Sequence, residues 1–199
     1  MTLAKDKRQM ILDIATRIFL RYGYAKTSLD EIASEAKIAK GTIYYYFSSK
    51  DELFVNVVSE QSKELINDIE QKLNTKQGFE EKLRFFLHAP VEYVCDKMPI
   101  WIDGIKNIPF HYKEYFEKYR EANRAKMLEM LQGIIDEGIK EDMISDVIIP
   151  DRLCEIINDW FLLGDLSVMV VDFEGLLHRV NRDRELITNL ILYGILKRG

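Results

Sequence analysis

An all-α protein is the fold class that this sequence predicts, and three observations carry the prediction. Apolar residues recur at intervals of three and four over most of the chain, the period of helices that bury one face. Only four prolines and ten glycines punctuate 199 residues, which leaves room for long unbroken helices. Val, Ile and Thr nowhere alternate with polar residues over a useful length, so no sheet is expected. The hydrophobic share of 47% and charged share of 31% are those of an ordinary soluble protein of one large or two small domains.

Taken in order, Met10, Ile11, Ile14, Ala15, Ile18, Phe19 and Tyr22 form the stripe of a first helix over about residues 5–22. Gly23 stands where a left-handed C-terminal cap is wanted, with Tyr24 as the apolar residue after it. Residues 27–46 read as two short helices joined by a tight turn. Leu29, Ile32, Ala33 and Ala36 share a face, and Ser28 with Glu31 is a capping-box pattern that fixes the first start. Ile38 plugs the joint. In the second helix, about residues 40–46, Ile43 and Phe47 point to the core. Its free face carries Lys40, Gly41, Thr42, Tyr44 and Tyr45: one charge, one bare backbone, one hydroxyl and two phenols. A short helix with such a face suits the major groove of DNA.

Ser49 and Glu52 form a second capping-box pattern, opening a helix over about residues 50–73 lined by Leu53, Phe54, Val57, Val58, Leu65, Ile66, Ile69 and Leu73. Lys50 in its first turn is placed either to hold a DNA phosphate or to stand in solvent. After a loop at 74–78, a helix is expected over 79–96, kinked at Pro90, with a restart at Met98-Pro99 and a short helix over 100–107. Pro109 begins a long helix over about 110–140, and 142–150 is a connector. The last two helices, about 151–171 and 184–197, are apolar most of the way round. One subunit covers one side, so a second copy is expected on the other, giving a twofold four-helix bundle.

Charge divides the chain as the periodicity does. Residues 1–50 hold nine Lys/Arg against five Asp/Glu, whereas the remainder holds nineteen against twenty-eight, for a total of -5. A basic head on an acidic body places an electrostatic footprint for DNA at the N-terminus. Cys95 and Cys154 lie far apart and read as buried free thiols of a reducing cytoplasm. The start has no apolar core of a signal peptide, and no apolar run approaches a membrane span. His88, His111 and His178 share no ligand spacing, and no phosphate loop, GxSxG or HExxH occurs, so neither metal nor cofactor is expected.

The segment Thr27-Ser28-Leu29-Asp30-Glu31-Ile32-Ala33, then Ala36, then Ile38 through Phe47, then Ser49-Lys50-Asp51-Glu52-Leu53, resembles the helix-turn-helix of the TetR family of bacterial transcriptional regulators. The likeness runs from about residue 7 to 53. It implies a three-helix DNA-binding head over 1–50, with its helix-turn-helix core at 27–46 and a linking helix at 50–73. It also implies a ligand-binding and dimerisation body of roughly six helices over 51–199. The implied protein is a cytoplasmic, ligand-responsive repressor, a homodimer through its last two helices on a near-palindromic operator in double-stranded DNA. Groove contacts fall to Lys40, Gly41, Thr42, Tyr44 and Tyr45, and phosphate contacts to Thr27, Tyr46 and Lys50, with core packing the other reading of Tyr46. One departure is Ala39, where the family has a Ser or Thr cap; Ala forfeits about 0.5–2 kcal/mol there.

The family binds its inducer in the middle of the body. Trp101, Phe110, Tyr115 and Trp160 are aromatic candidates for that site, each with ordinary core as its alternative. Asp103 and Asp165, set among apolar residues, are either paired or ligand-facing. The effector expected is a largely apolar small molecule, cationic if either carboxylate stays ionised. Two other classes remain: a DNA-binding structural protein with no effector, and a helical enzyme with a relic head. The second lacks any nucleophile–base or metal constellation in the sequence.

Overall fold

A computed structural model describes residues 2–161 and 173–197. Eight α-helices run through them: α1 (Thr2–Lys26), α2 (Leu29–Glu35), α3 (Lys40–Tyr46), α4 (Lys50–Leu73), α5 (Gly78–Asn107), α6 (Lys113–Lys140), α7 (Pro150–Phe161) and α8 (Phe173–Ile195). A 3-10 turn, Phe110–Tyr112, sits between α5 and α6. Among the described residues the only β-type pairing is one antiparallel bridge, Ile144 with Leu196. The protein is all-α, as the periodicity predicts.

Three expectations are corrected in detail. The helix pair expected over 79–96 and 100–107 is a single 30-residue helix, α5, that runs through both Pro90 and Pro99. Each proline removes one helical donor. Around Pro90 the loss is carried by a well-packed flank, since Phe86, Leu87 and Val91 are buried. The last helix begins at Phe173, ahead of the expected start near 184. The second capping box is only half made. Ser49 Oγ accepts the Glu52 N–H at 3.0 Å, but the Glu52 carboxylate turns to the N–H and hydroxyl of Ser48.

Packing divides the chain into two compact units. The first comprises Met1–Lys63 with Lys97–Tyr119, and the second Glu64–Asp96 with Arg120–Gly199. These units do not follow the expected division at residue 50, since α4, α5 and α6 each lend residues to both.

The first unit has its core where α1, α2, α3 and the start of α4 meet: Ile11, Ala15, Phe19, Ile32, Ile43, Phe47, Leu53 and Phe54 are all buried. Trp101, Ile105 and Ile108 of α5 and its exit join the same cluster. Gly104 is what lets α5 approach: a Cβ there would collide with the Phe54 ring. The second unit buries Ile69 and Leu73 of α4, Phe79, Leu83 and Phe86 of α5, Leu131 and Ile134 of α6, Cys154 and Ile157 of α7, and Leu192 and Ile195 of α8. Burial pushes the Cys154 thiol up to about 11, which keeps it protonated at neutral pH; the Cys95 side chain lies outside the described ones. On its other side α8 leaves Leu186, Leu190 and Tyr193 exposed, three apolar residues on one face.

Candidate nucleic-acid interface

The helix-turn-helix is built from local chemistry upward. Gly23 ends the regular part of α1 at φ 78° and ψ 164°, a conformation that a side chain resists. The Thr27 hydroxyl donates back to the Gly23 carbonyl at 2.8 Å and closes that corner. Ser28 then caps α2 with a complete capping box: its Oγ accepts the Glu31 N–H at 3.2 Å, and the Glu31 carboxylate accepts the Ser28 N–H at 2.7 Å.

The turn after α2 is a Schellman motif. The Ile38 N–H reaches the Ala33 carbonyl at 3.0 Å, and the Lys37 N–H reaches that of Ser34 at 3.1 Å. Lys37 takes the left-handed position, at φ 53°, where glycine is usual. Ile38 packs on the core of the first unit, as expected of a plug. Recognition helix α3 follows. Its cap residue Ala39 is extended, at φ -69° and ψ 142°, and offers no side-chain acceptor.

Ile43 and Phe47 anchor α3 from below, with 0% and 1% of their surface exposed. Arg8 of α1 lies over the Phe47 ring, 5.0 Å from its centre, and donates to Asn56 of α4 at 2.6 Å. The outer face is left bare. Tyr45 is 80% exposed, Tyr44 half exposed, and a Cβ at Gly41 would meet nothing within 4 Å. Tyr46 stands with its ring edge-on to Tyr45 at 4.9 Å and is partly buried against the core. Lys40, the first residue of α3, is exposed and pairs with Asp30 of α2, Nζ to Oδ2 at 2.7 Å. That hydrogen bond holds the Lys40 ammonium above its usual range.

Two of the three residues expected at phosphates are engaged inside the protein. Thr27 is only 3% exposed. The Lys50 ammonium donates to the carbonyls of Tyr24 at 2.9 Å and Thr27 at 3.1 Å, and lies 4.1 Å from the centre of the Tyr24 ring. Tyr24 donates its hydroxyl to Asp51; burial first, and that carboxylate second, raise its pKa. These links lock the 23–28 connector onto the first turn of α4. An ammonium has three donors, so Lys50 keeps one.

Of the effector candidates, Trp101 is 1% exposed, with its ring centre 5.9 Å from that of Phe54 and no hydrogen-bond partner for Nε1. Tyr115 is exposed and belongs to the same unit. The side chains of Asp103, Phe110 and Trp160, and the whole of Asp165, lie outside the described residues. Among the described residues no cluster of His, Cys, Asp and Glu is placed to hold a metal ion, and no helix is long and apolar enough to cross a membrane. Sequence reading missed Asp30 and Gly104: neither a pairing ten residues apart nor a close helix approach has a periodic signal.

A tri-helical core presenting a short, bare second helix defines a helix-turn-helix transcriptional regulator. Residues 11–57 match the tetR family of bacterial regulatory proteins. The chain is 33% identical over 142 residues to an uncharacterized HTH-type transcriptional regulator, YhgD, of Bacillus subtilis (strain 168), covering 70% of this chain and 72% of that one. The chain belongs to the TetR family. Its fold is shared with a transcriptional regulator from Cytophaga hutchinsonii ATCC 33406, at a TM-score of 0.76 and 19% identity over 95% of this chain and 98% of that one. It is also shared with the regulator FadR from Bacillus subtilis, solved with stearoyl-CoA, at a TM-score of 0.61 and 18% identity over 94% and 98%.

Proposed function

We propose that this regulator is a ligand-responsive repressor that binds a near-palindromic operator as a homodimer. The observation that carries the DNA half of the reading is the α3 face itself. Lys40, Gly41, Thr42, Tyr44 and Tyr45 make up its outer side, with Lys40 paired to Asp30 and Tyr44 and Tyr45 exposed, above a base anchored by Ile43 and Phe47. Lys40, Gly41, Thr42, Tyr44 and Tyr45 enter the major groove, while Tyr46 and the remaining donor of Lys50 reach phosphates. Thr27 serves as the brace behind them, its hydroxyl being turned inward.

The dimer rests on the exposed stripe Leu186, Leu190 and Tyr193 of α8, an apolar face that a second copy would cover. Two heads on one dimer read half-sites about 34–36 Å apart. The effector is a largely apolar molecule bound in the body over 51–199. Support comes from the stearoyl-CoA carried by a regulator of the same fold. Such a ligand releases DNA only by binding better to a state whose heads are off groove spacing.

Selection of binding sites from a random double-stranded DNA library tests the reading. A palindromic motif with half-sites one helical turn apart is expected, and stearoyl-CoA is the first effector to titrate against the bound complex. Tryptophan emission, compared in wild type, Trp101→Phe and Trp160→Phe, reports its occupancy. Enrichment of no motif removes the DNA reading. A motif whose binding no acyl-CoA or other apolar ligand weakens favours the regulator without an effector.

A further inference from the structure

The ion pair between Asp30 and Lys40 has no structural explanation. Both side chains are exposed, and such pairs contribute at most about 1 kcal/mol in water. Each helix also has its own hold, since α2 is capped by Ser28 and α3 is anchored by Ile43. The pair does place a carboxylate beside the first residue of the helix whose bare face is aimed at DNA. A lone carboxylate there would repel phosphates. The chemistry that accommodates it is a base edge that offers a donor.

Every base pair supplies one. On the major-groove edge, a keto oxygen (guanine O6 or thymine O4) lies next to an exocyclic amine (cytosine N4 or adenine N6) on the opposite strand. The pair's own N–H···O bond joins those two atoms, so they stand about 2.9 Å apart. The Lys40 Nζ to Asp30 Oδ2 separation is 2.7 Å. An ammonium and a carboxylate held at that spacing complement a keto oxygen and an amine held at nearly the same spacing.

We propose that Asp30 and Lys40 act together as a specificity-determining pair that reads the keto–amine order of one base pair in each half-site. Lys40 donates to the keto oxygen, and Asp30 accepts from the second hydrogen of the amine across from it. Reversing the base pair sets amine against ammonium and keto oxygen against carboxylate, so both contacts turn repulsive. The pair accepts G·C and T·A in one orientation and rejects C·G and A·T. The inference rests on α3 lying in the major groove, the reading given above.

Selection from a random double-stranded library with wild type, Asp30→Ala, Lys40→Met and the double variant tests it. The wild-type motif is expected to hold one column per half-site with a fixed keto–amine order. Each single variant loses that same column, a fall in discrimination of about 5- to 150-fold, and leaves the others in place. The double variant loses no more than either single one, because the two groups read as a unit. Circular dichroism checks that these surface variants fold. If Asp30→Ala binds every sequence more tightly with the motif intact, Asp30 is only a counter-charge and the proposal fails. Loss at two different columns also overturns it, as two separate contacts. A wild type that enriches no motif defeats the groove reading and this pair with it, whereas a sharp motif that both variants retain defeats the pair alone.

Discussion

Among the described residues, α3 and α8 each leave a face uncovered, and the faces differ in kind. On α3 the outward groups are Lys40, Thr42, Tyr44 and Tyr45, each ending in an ammonium or hydroxyl. On α8 they are Leu186, Leu190 and Tyr193, two of the three purely aliphatic. A polar, hydrogen-bonding face is stable in water and gains from a wet, charged partner such as a duplex. An aliphatic stripe is costly in water and gains from an apolar surface like itself. What holds each face differs as well. The last stretch of α8 packs into the second unit through Thr188, Leu192 and Ile195. The seven residues of α3 have one buried side chain, Ile43, and must rely on their turn and the core beneath.

The largest effect expected separates the faces by what they bind. Leu190→Arg puts a charge into the aliphatic stripe, and sedimentation at micromolar concentration should then give monomer where wild type gives dimer. Tyr45→Arg makes the same change on α3 and should leave the dimer intact, because that face meets DNA. A wild-type monomer, or a dimer indifferent to Leu190→Arg, would remove the assignment of the α8 stripe.

A smaller effect tests the support under α3. Gly104→Ala forces a methyl group against the Phe54 ring in the core shared with the helix-turn-helix. Overpacking of this kind costs about 1–3 kcal/mol, or a fall in Tm of roughly 2–4 °C per kcal/mol for a chain of this size. Calorimetry measures it directly. An unchanged Tm would mean that α5 is free to move away from Phe54 and does not set the base of α3.

Those two variants also mark how far the sequence was legible. The head could be read because its signals are local. Ser28 and Glu31 lie three apart, Ile43 and Phe47 four apart, and the structure makes the box and buries both anchors. The α8 stripe was legible for the same reason, since a helix apolar on several faces shows it in its own period. Gly104, Asp30 and the inward use of Thr27 and Lys50 were not legible. Each depends on a neighbour between 4 and 50 residues away: Thr27 on Gly23, Asp30 on Lys40, Lys50 on Tyr24, Gly104 on Phe54. Helical spacing says which face a residue shares, but not which atom stands opposite it. Pro99 misled for a related reason: its local preference suggested a restart, whereas the helix runs on through it.

The smallest effect concerns how α3 is held in place. Neighbouring helices α2 and α3 are each seven residues long, yet only α2 has a side-chain cap. Ala39 already has the extended backbone of a cap residue, and the Thr42 N–H meets its carbonyl at 2.8 Å. Ala39→Ser supplies the missing acceptor without moving the chain, and should stabilise the protein by about 0.5–2 kcal/mol in urea unfolding. Ser28→Ala should cost a similar amount, because it removes the acceptor that α2 already uses. Exchange of the Gly41 and Thr42 amide hydrogens should slow in Ala39→Ser, since opening of so short a helix is local. If neither stability nor exchange changes, the α3 amides are already satisfied, and its order comes from Ile43 and Phe47 alone.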